Sequence, residues 1–555
     1  MVKQPSSQQK NKKLNTDEIV DSVVRENALF YDQYKTPYIA VGGKGSALFD
    51  IESKEFKRWI GNDTYRRQGT ILKGTQLKNI VDALQGIALF SGKGEIKLEP
   101  RVQYIDGVIW YDLGGSAVRI DKKGWEIIED PPILFHSHPH QEKQVIPERG
   151  GDVQSLRQFV NMQSDYDWIL FLTFAIASFI PDFPKPTLIL NGVQGSGKST
   201  PMKMLKRLID PSILLSCGAP KSSDELARMA SKHILLLFDN LSKIPGKVSD
   251  DLCRLITGDA FVTRTFYTNN GDTIFRSKRA IMMNGIVPFI QRADLLDRAI
   301  ILDLKPIKKM DRMPEDELWA KFDAERPKIL GAIFTILSGA LEWKPRIQTH
   351  ELPRMGDFAK WGYAINAAIG ETTGEEYGDG LAQANFWSAY TRNEEHRTEE
   401  ALLANPVAVA AMQLVEEEEY WRGTATDFFD EFVNPIHSTK DRKYIKDSPM
   451  WPEDPVGVGR ALVRAESNLA AVNIKVEHYR ENNQRKIWIS RGKRLESGMA
   501  YFDRAAAKDP VFQRQIEKDD SRRLKELTKR KHYREEKQKE QLKLSTQNSM
   551  ESKDE

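Results

Sequence analysis

The chain has 555 residues, of which 40% are hydrophobic and 29% charged, and its formal net charge is +3. That balance fits a soluble globular protein of two to four domains and is too near neutral to argue for a nucleic-acid partner by itself. Two cysteines, Cys217 and Cys253, exclude a disulfide framework and a zinc finger and point to a reducing, cytoplasmic setting.

In chain order, residues 1–13 form a polar, basic stretch that reads as a disordered tail and lacks the apolar core of a secretory signal. Residues 14–150 read as a small α+β domain. A helix over 14–30 is capped by Asn15 or Thr16. Short strands follow in "YIAVGG", "RVQYIDGVIWYDLG" and "AVRIDKKGWEII", with an amphipathic helix in "TQLKNIVDALQGIALFSG". Near its end, "FHSHPHQ" (135–141) holds a fragment of the zinc isopeptidase signature. The Ser-x-x-Asp that signature needs is missing, since Gln158 stands three after Ser155, so an exposed loop is expected.

"WILFLTFAIASFI" (168–180) falls short of the roughly 20 apolar residues that cross a bilayer and reads as a buried helix. Residues 151–345 then alternate strand and helix. "PTLILNGVQGSGKST" (186–200) runs an apolar strand into the G-x-x-x-x-G-K-[ST] pattern. Backbone N–H groups of Gly192, Val193, Gln194, Gly195, Ser196, Gly197 and Thr200 would curl round phosphate oxygens. Lys198 would add a charge at the β- and γ-phosphates, and the Ser199 hydroxyl would ligate Mg²⁺.

Forty-one positions after Lys198, a second strand, "ILLLFD", delivers Asp239 as the metal-side carboxylate, followed by Asn240. "KRAIMMNGIVP" ends a third strand near Asn284, placed to sense the γ-phosphate or the attacking water. Arg298 precedes a fourth strand as a candidate trans-acting arginine, with Arg292 as its rival. Between the second and third strands, Asn270-Gly271 marks a hairpin. Arg264 and Tyr267 stand before the turn and Arg276 and Lys278 after it, as candidate nucleic-acid contacts.

Residues 346–404 read as a helical linker. Residues 405–492 read as three helices followed by a hairpin around "ENNQ", a winged-helix-like pattern, with Arg464 on the third helix and Arg485 in the wing as DNA contacts. Residues 493–555 form a charged, partly helical extension.

"GVQGSGKST", "ILLLFDN", "LCRLITGDAFVTRTFYTNNGDTIF", "AIMMNGIVP" and "DLLDRAIIL", in that order, resemble the superfamily III helicase type of AAA+ ATPase. With "DNLS" after the acid strand and "LPRM-x-DFA-x-WG" from Leu352 to Gly362, the chain looks like primase/helicase-like ATP-binding proteins of bacterial mobile elements. The resemblance implies an α/β P-loop NTPase core of the AAA+/ASCE type that binds ATP and Mg²⁺ and assembles as a homo-oligomeric, hexameric ring acting on DNA. It assigns Lys198 to phosphate, Ser199 and Asp239 to metal, Asn284 to sensing and Arg298 to the neighbouring subunit's site. The family carries a second acid where this chain has Asn240, which can orient a water but cannot take its proton. The expected function is an ATP-dependent DNA motor in mobile-element replication, the alternative an ATP-gated DNA-binding or helicase-loading adaptor.

Overall fold

The computed structural model describes residues 15–491 except 43–46, 193–194, 265–271, 286–289, 291, 309, 311, 349–351, 374–378, 419, 435–439, 449 and 482. The tail expected at 1–13 and the extension at 493–555 lie outside the described residues.

The first helix is shorter than its periodicity suggests. α1 (Thr16–Glu26) buries Ile19, Val20 and Val23. After Asn27 the chain becomes β1 (Ala28–Tyr31), which pairs antiparallel with β2 (Pro37–Val41), and β2 pairs with β3 (Ala47–Asp50). The reason is that Leu29 packs with Ile19 and Ile39 whereas Phe30 packs with Tyr38 in a separate cluster. Only a strand sends adjacent side chains to opposite sides. Two helices follow. α2 (Lys54–Gln68), unanticipated, opens with the Ser53 side chain accepting from the Phe56 amide, and α3 (Gly74–Phe90) lies where the amphipathic pattern placed it.

A meander of β4 (Val102–Ile105), β5 (Val108–Asp112), β6 (Ala117–Asp121) and β7 (Gly124–Ile128) comes next, paired in chain order. Its Val102, Tyr111, Val118 and Trp125 belong to the same apolar core as the strands beyond residue 186. α4 (Asp165–Ala177) is buried almost all round, as expected of its sequence. No helix of the described residues is long and apolar enough to cross a membrane.

From there strand and helix alternate. β8 (Thr187–Asn191), α5 (Ser199–Ile209), α6 (Ser223–Lys232), β9 (Leu235–Leu241) and α7 (Gly246–Thr257) lead to the hairpin strands β10 (Phe261–Arg264) and β11 (Asp272–Phe275). β12 (Ala280–Gly285), the short α8 (Ala293–Leu296), β13 (Ala299–Asp303) and α9 (Glu315–Trp343) follow, then α10 (Gly356–Thr373) and α11 (Asp379–Leu403). The central sheet is parallel with order β13-β8-β12-β9, and a single bridge from Cys217 to Phe238 adds a further strand position beside β9. β12 therefore lies between the strand that feeds the glycine loop and the strand that carries Asp239. Every residue of β8 is buried, which is why these strands read as unbroken apolar runs.

The chain divides into two units. The first comprises residues up to 410 together with 432–468. The second comprises 411–431 and, among the described residues, 469–491. Across this region run α12 (Pro406–Glu418), β14 (Tyr420–Gly423), α13 (Ala425–Val433), α14 (Lys440–Lys446), α15 (Pro455–Ala471), β15 (Ile474–Glu481) and β16 (Gln484–Arg491). The sheet of the second unit has order β14-β16-β15 and is antiparallel. Three helices and two strands were expected; α14 and β14 are additional. Tyr420 and Trp421 leave the helical pattern because β14 pairs with β16, and the Trp421 ring packs edge-on against Phe428 at 5.2 Å.

Candidate functional site

The loop after β8 has the conformation its glycines permit. Gly195 has φ +83° and Gly197 φ +73°, and a Cβ on Gly197 would stand 2.9 Å from the Ile307 side chain. Both demands exclude other residues. Val193 and Gln194 lie outside the described residues. Lys198 Nζ donates to the Gly192 carbonyl at 2.7 Å. Burial pushes its ammonium down from the ordinary lysine value, with Asp239 opposing. Ser199 and Thr200 open α5. The Ser196 hydroxyl is buried and has no hydrogen-bond partner among the described residues.

The strand order brings Ser199, Asp239 and Asn284 together. Ser199 Oγ donates to Asp239 Oδ1 at 2.9 Å. Asn284 Nδ2 donates to Ser199 Oγ at 3.4 Å and approaches Met202 Sδ at 3.3 Å, while its Oδ1 accepts from the Asn240 amide at 2.9 Å. A hydroxyl and a carboxylate held this close are hard oxygen ligands of the type Mg²⁺ takes, so the donor set fits that ion.

Asn240 has a conformational reason to be where it is. β9 and β12 keep register at Phe238 opposite Met283, then resume at Leu241 opposite Gly285. β9 thus holds one residue more than β12 over this span, which is a bulge. Asn240 has φ +57°, in the left-handed region that asparagine tolerates better than most residues. Its side chain is exposed.

The arginines divide by their partners. Arg298 is paired with the carboxylate and carbonyl of Asp294, one turn earlier in its own chain. Arg354 joins Asp294 and Asp297 to the same group. Arg292 pairs with Asp250 at 2.8 Å. Arg312 escaped the sequence reading. It is exposed, makes no hydrogen bond or ion pair among the described residues, and its Nη2 lies 3.6 Å from where a Cβ on Gly195 would be. The only sequence signal was its place just after β13, whose end aligns with Asn191 beside the loop.

The hairpin cations stand elsewhere than expected. β11 ends at Phe275, so Arg276 and Lys278 belong to the connection into β12. Arg276 Nε donates to the Gly258 carbonyl at 3.2 Å, and Lys278 Nζ donates to the Asp182 carbonyl at 3.2 Å. Arg264 is the last residue of β10, while Tyr267 and the Asn270-Gly271 turn lie outside the described residues. Arg464 is exposed on α15, where its Nε returns to the Arg460 carbonyl at 3.1 Å, and Arg485 is exposed on β16.

The histidine segment is only in part the exposed loop expected: Ser137, Pro139 and His140 are exposed, and His138 is buried. His138 is 7% exposed and packs edge-on against His233 at 5.0 Å. Burial, with His233 adding to it, pushes the His138 imidazole down to about 3, and burial pushes His136 down to about 4. Among the described residues no group of three or more histidine, cysteine or acidic side chains is arranged to hold a metal ion.

Two family descriptions match this chain. "Actinomycete integrative conjugative element replication protein" matches residues 153–385, and the C-terminal domain of the same RepA protein matches 407–504. Together they take in more than half of the chain. Comparison with curated proteins gave no match. Among solved structures, the A-form apo structure of the NrS-1 C-terminal region is 12% identical. The alignment covers 85% of this chain and 99% of that one, with a TM-score of 0.37. A second apo structure of that region is 11% identical with a TM-score of 0.35, covering 85% of this chain and 98% of that one. Likenesses of that size carry no argument.

Proposed function

This chain belongs to the family of actinomycete integrative conjugative element replication proteins, and we propose that it is a Mg²⁺-dependent ATPase whose turnover drives work on DNA. The observation that carries the reading is the Ser199–Asp239 hydrogen bond at 2.9 Å, formed between the end of the glycine loop and the end of β9. That pairing supports a P-loop core of the AAA+/ASCE type. Ser199 and Asp239 would hold Mg²⁺, which supplies charge neutralisation to the β- and γ-phosphate oxygens.

The other steps fall to the chain's own groups. Loop amides and Lys198 take the phosphates, Lys198 leaving the Gly192 carbonyl to do so. Asn284 orients the attacking water from between the two loops. Arg312, above Gly195, faces the phosphate path from the same subunit. Arg298 reaches a neighbouring subunit only by leaving Asp294, and a hexameric ring is the assembly in which it would act. The order α12-β14-α13-α14-α15-β15-β16 supports a winged-helix-like module that meets DNA.

A second reading is favoured by Asn240, an amide where a water-activating acid is expected. In it the protein binds ATP and turns it over slowly or not at all, loading DNA or another helicase. The test compares DNA-stimulated ATP turnover and strand displacement for wild type and Lys198→Ala. A wild type that binds ATP yet shows neither activity on any DNA ends the motor reading and leaves the adaptor.

A further inference from the structure

One face of the second unit's sheet is apolar and covered: Trp421, Ile474, Ile487 and Ile489 are all buried. The opposite face carries two large aromatics in solvent. Trp488 is 43% exposed and Tyr420 58%. Their ring centroids are 6.4 Å apart, with planes inclined at 69°. Strand register fixes what surrounds them. Trp488 stands opposite Arg422 on β14 and Glu477 on β15, and Tyr420 stands opposite Ser490, which faces Lys475. Aromatic area kept in water forgoes a favourable burial, and exposed aromatic patches mark binding surfaces.

The charges decide what would bind. Both acids of this face are already matched, Glu477 by Lys475 and Glu481 by Lys486. Arg422 is exposed and makes no hydrogen bond or ion pair among the described residues. At the hairpin tip, Arg480 and Arg485 are directly opposed across β15 and β16, on the side of the ladder that carries Ile487 and Ile489 rather than Trp488. Both are exposed, and neither has an acidic partner among the described residues. Like charges facing each other across a strand pair repel, and a polyanion relieves that repulsion.

We infer that this sheet is a platform for single-stranded DNA. Unpaired bases stack on Trp488 and Tyr420, and the sugar-phosphate strand runs past Arg422 and over the hairpin tip, where Arg480 and Arg485 meet it from the far side of the ladder. A duplex keeps its bases stacked inside and has no free faces to give the rings, whereas a single strand does. Family membership in replication selects DNA as the polyanion. The site is separate from the nucleotide site and stands without it.

The test is fluorescence anisotropy on the full chain without nucleotide. The probes are a labelled oligo-dT of about 20 nucleotides, longer than a site of this kind occupies, and a duplex of matched length. Trp488→Ala and Tyr420→Ala are each expected to weaken oligo-dT binding about tenfold and duplex binding less than twofold. Trp488→Phe keeps most of the affinity. The pair Arg480→Gln with Arg485→Gln lowers the salt slope by about one to two. Lys198→Ala binds oligo-dT as wild type does, so loss of ATP turnover and loss of this site are separable.

Three results overturn the inference: a wild type that does not bind oligo-dT, alanine variants that bind it unchanged because the 493–555 extension or a protein partner occupies the face, or equal losses on duplex. A wild type that binds oligo-dT through these rings but never hydrolyses ATP overturns the motor reading alone.

Discussion

The backbone amide of Asn240 donates to the side-chain oxygen of Asn284 at 2.9 Å, so the residue after Asp239 is held by the strand that lies between β9 and the strand feeding the glycine loop. This single contact ties the bulge in β9 to the Ser199 hydroxyl, which the amide nitrogen of Asn284 approaches at 3.4 Å.

The first prediction follows from the left-handed backbone at Asn240. Asn240→Gly should leave stability within about 0.5 kcal/mol, because glycine takes this conformation freely. Asn240→Val should cost roughly 1–2 kcal/mol. Urea unfolding of both variants measures the difference. If glycine also preserves ATP turnover, the asparagine is there for its backbone and another group handles the water.

Asn284→Ala removes the acceptor for the Asn240 amide. It should destabilise by about 1–3 kcal/mol, and it should lower kcat for ATP more than it raises KM. Equilibrium unfolding and steady-state kinetics together test this. Asn284→Asp, which keeps the acceptor, should recover the stability and not the turnover.

Arg312→Ala should weaken ATP and ADP binding several-fold and leave adenosine binding unchanged, since the guanidinium stands above the glycine loop. Titration with the three ligands separates the two effects. Equal affinities for all three in wild type and variant would remove Arg312 from the site.

Much of this site was legible because its chemistry is local. The run from Gly192 to Ser199 is contiguous, and Asp239 and Asn284 each follow an apolar run near the end of a strand, visible in one dimension. Arg312 was not legible, because it reaches the loop only after β13 has aligned with β8. The bulge at Asn240 was hidden for a similar reason: it is a count of residues on two strands, and neither strand shows it alone. In the N-terminal region the alternation of Leu29 and Phe30 between two cores overrode helical periodicity. The pairing of Tyr420 and Trp421 with a strand nearly 70 residues away likewise cut short the helix before them.

The histidines predict acid sensitivity. His138 in the fold ionises near 3 and His136 near 4 because burial disfavours their charged forms, whereas an unfolded histidine ionises near 6.5. Below about pH 6.5 the unfolded chain therefore binds protons that the folded chain refuses. Stability is full above that pH and falls on acidification towards pH 4, by up to about 1.4 kcal/mol per pH unit for each histidine. Thermal unfolding between pH 7 and 4.5 should show the decline, and His138→Gln should make it shallower.

Lys206 and Asp210 form a buried ion pair at 2.6 Å, and Arg101 Nε lies 3.7 Å from the same carboxyl. Burial raises the Asp210 carboxyl, but Lys206, His233 and Arg101 outweigh it and hold the group well below the usual carboxylate range. Asp210→Asn should cost about 3–5 kcal/mol, because it strands a buried ammonium. Unfolding of Lys206→Met with Asp210→Leu should show a smaller loss than either change alone.

Asp210 closes the helix that Ser199 opens. α5 spans Ser199–Ile209, a rod of about 16 Å, with the metal-side hydroxyl at one end. At the other end Arg101 meets Asp210 and donates to the Pro211 and Glu142 carbonyls at 2.9 and 2.8 Å. A helix transmits displacement along its axis with little give, so the N-terminal meander is mechanically in series with the Ser199 hydroxyl. A displacement of Ser199 away from Asp239 would therefore be felt at Arg101.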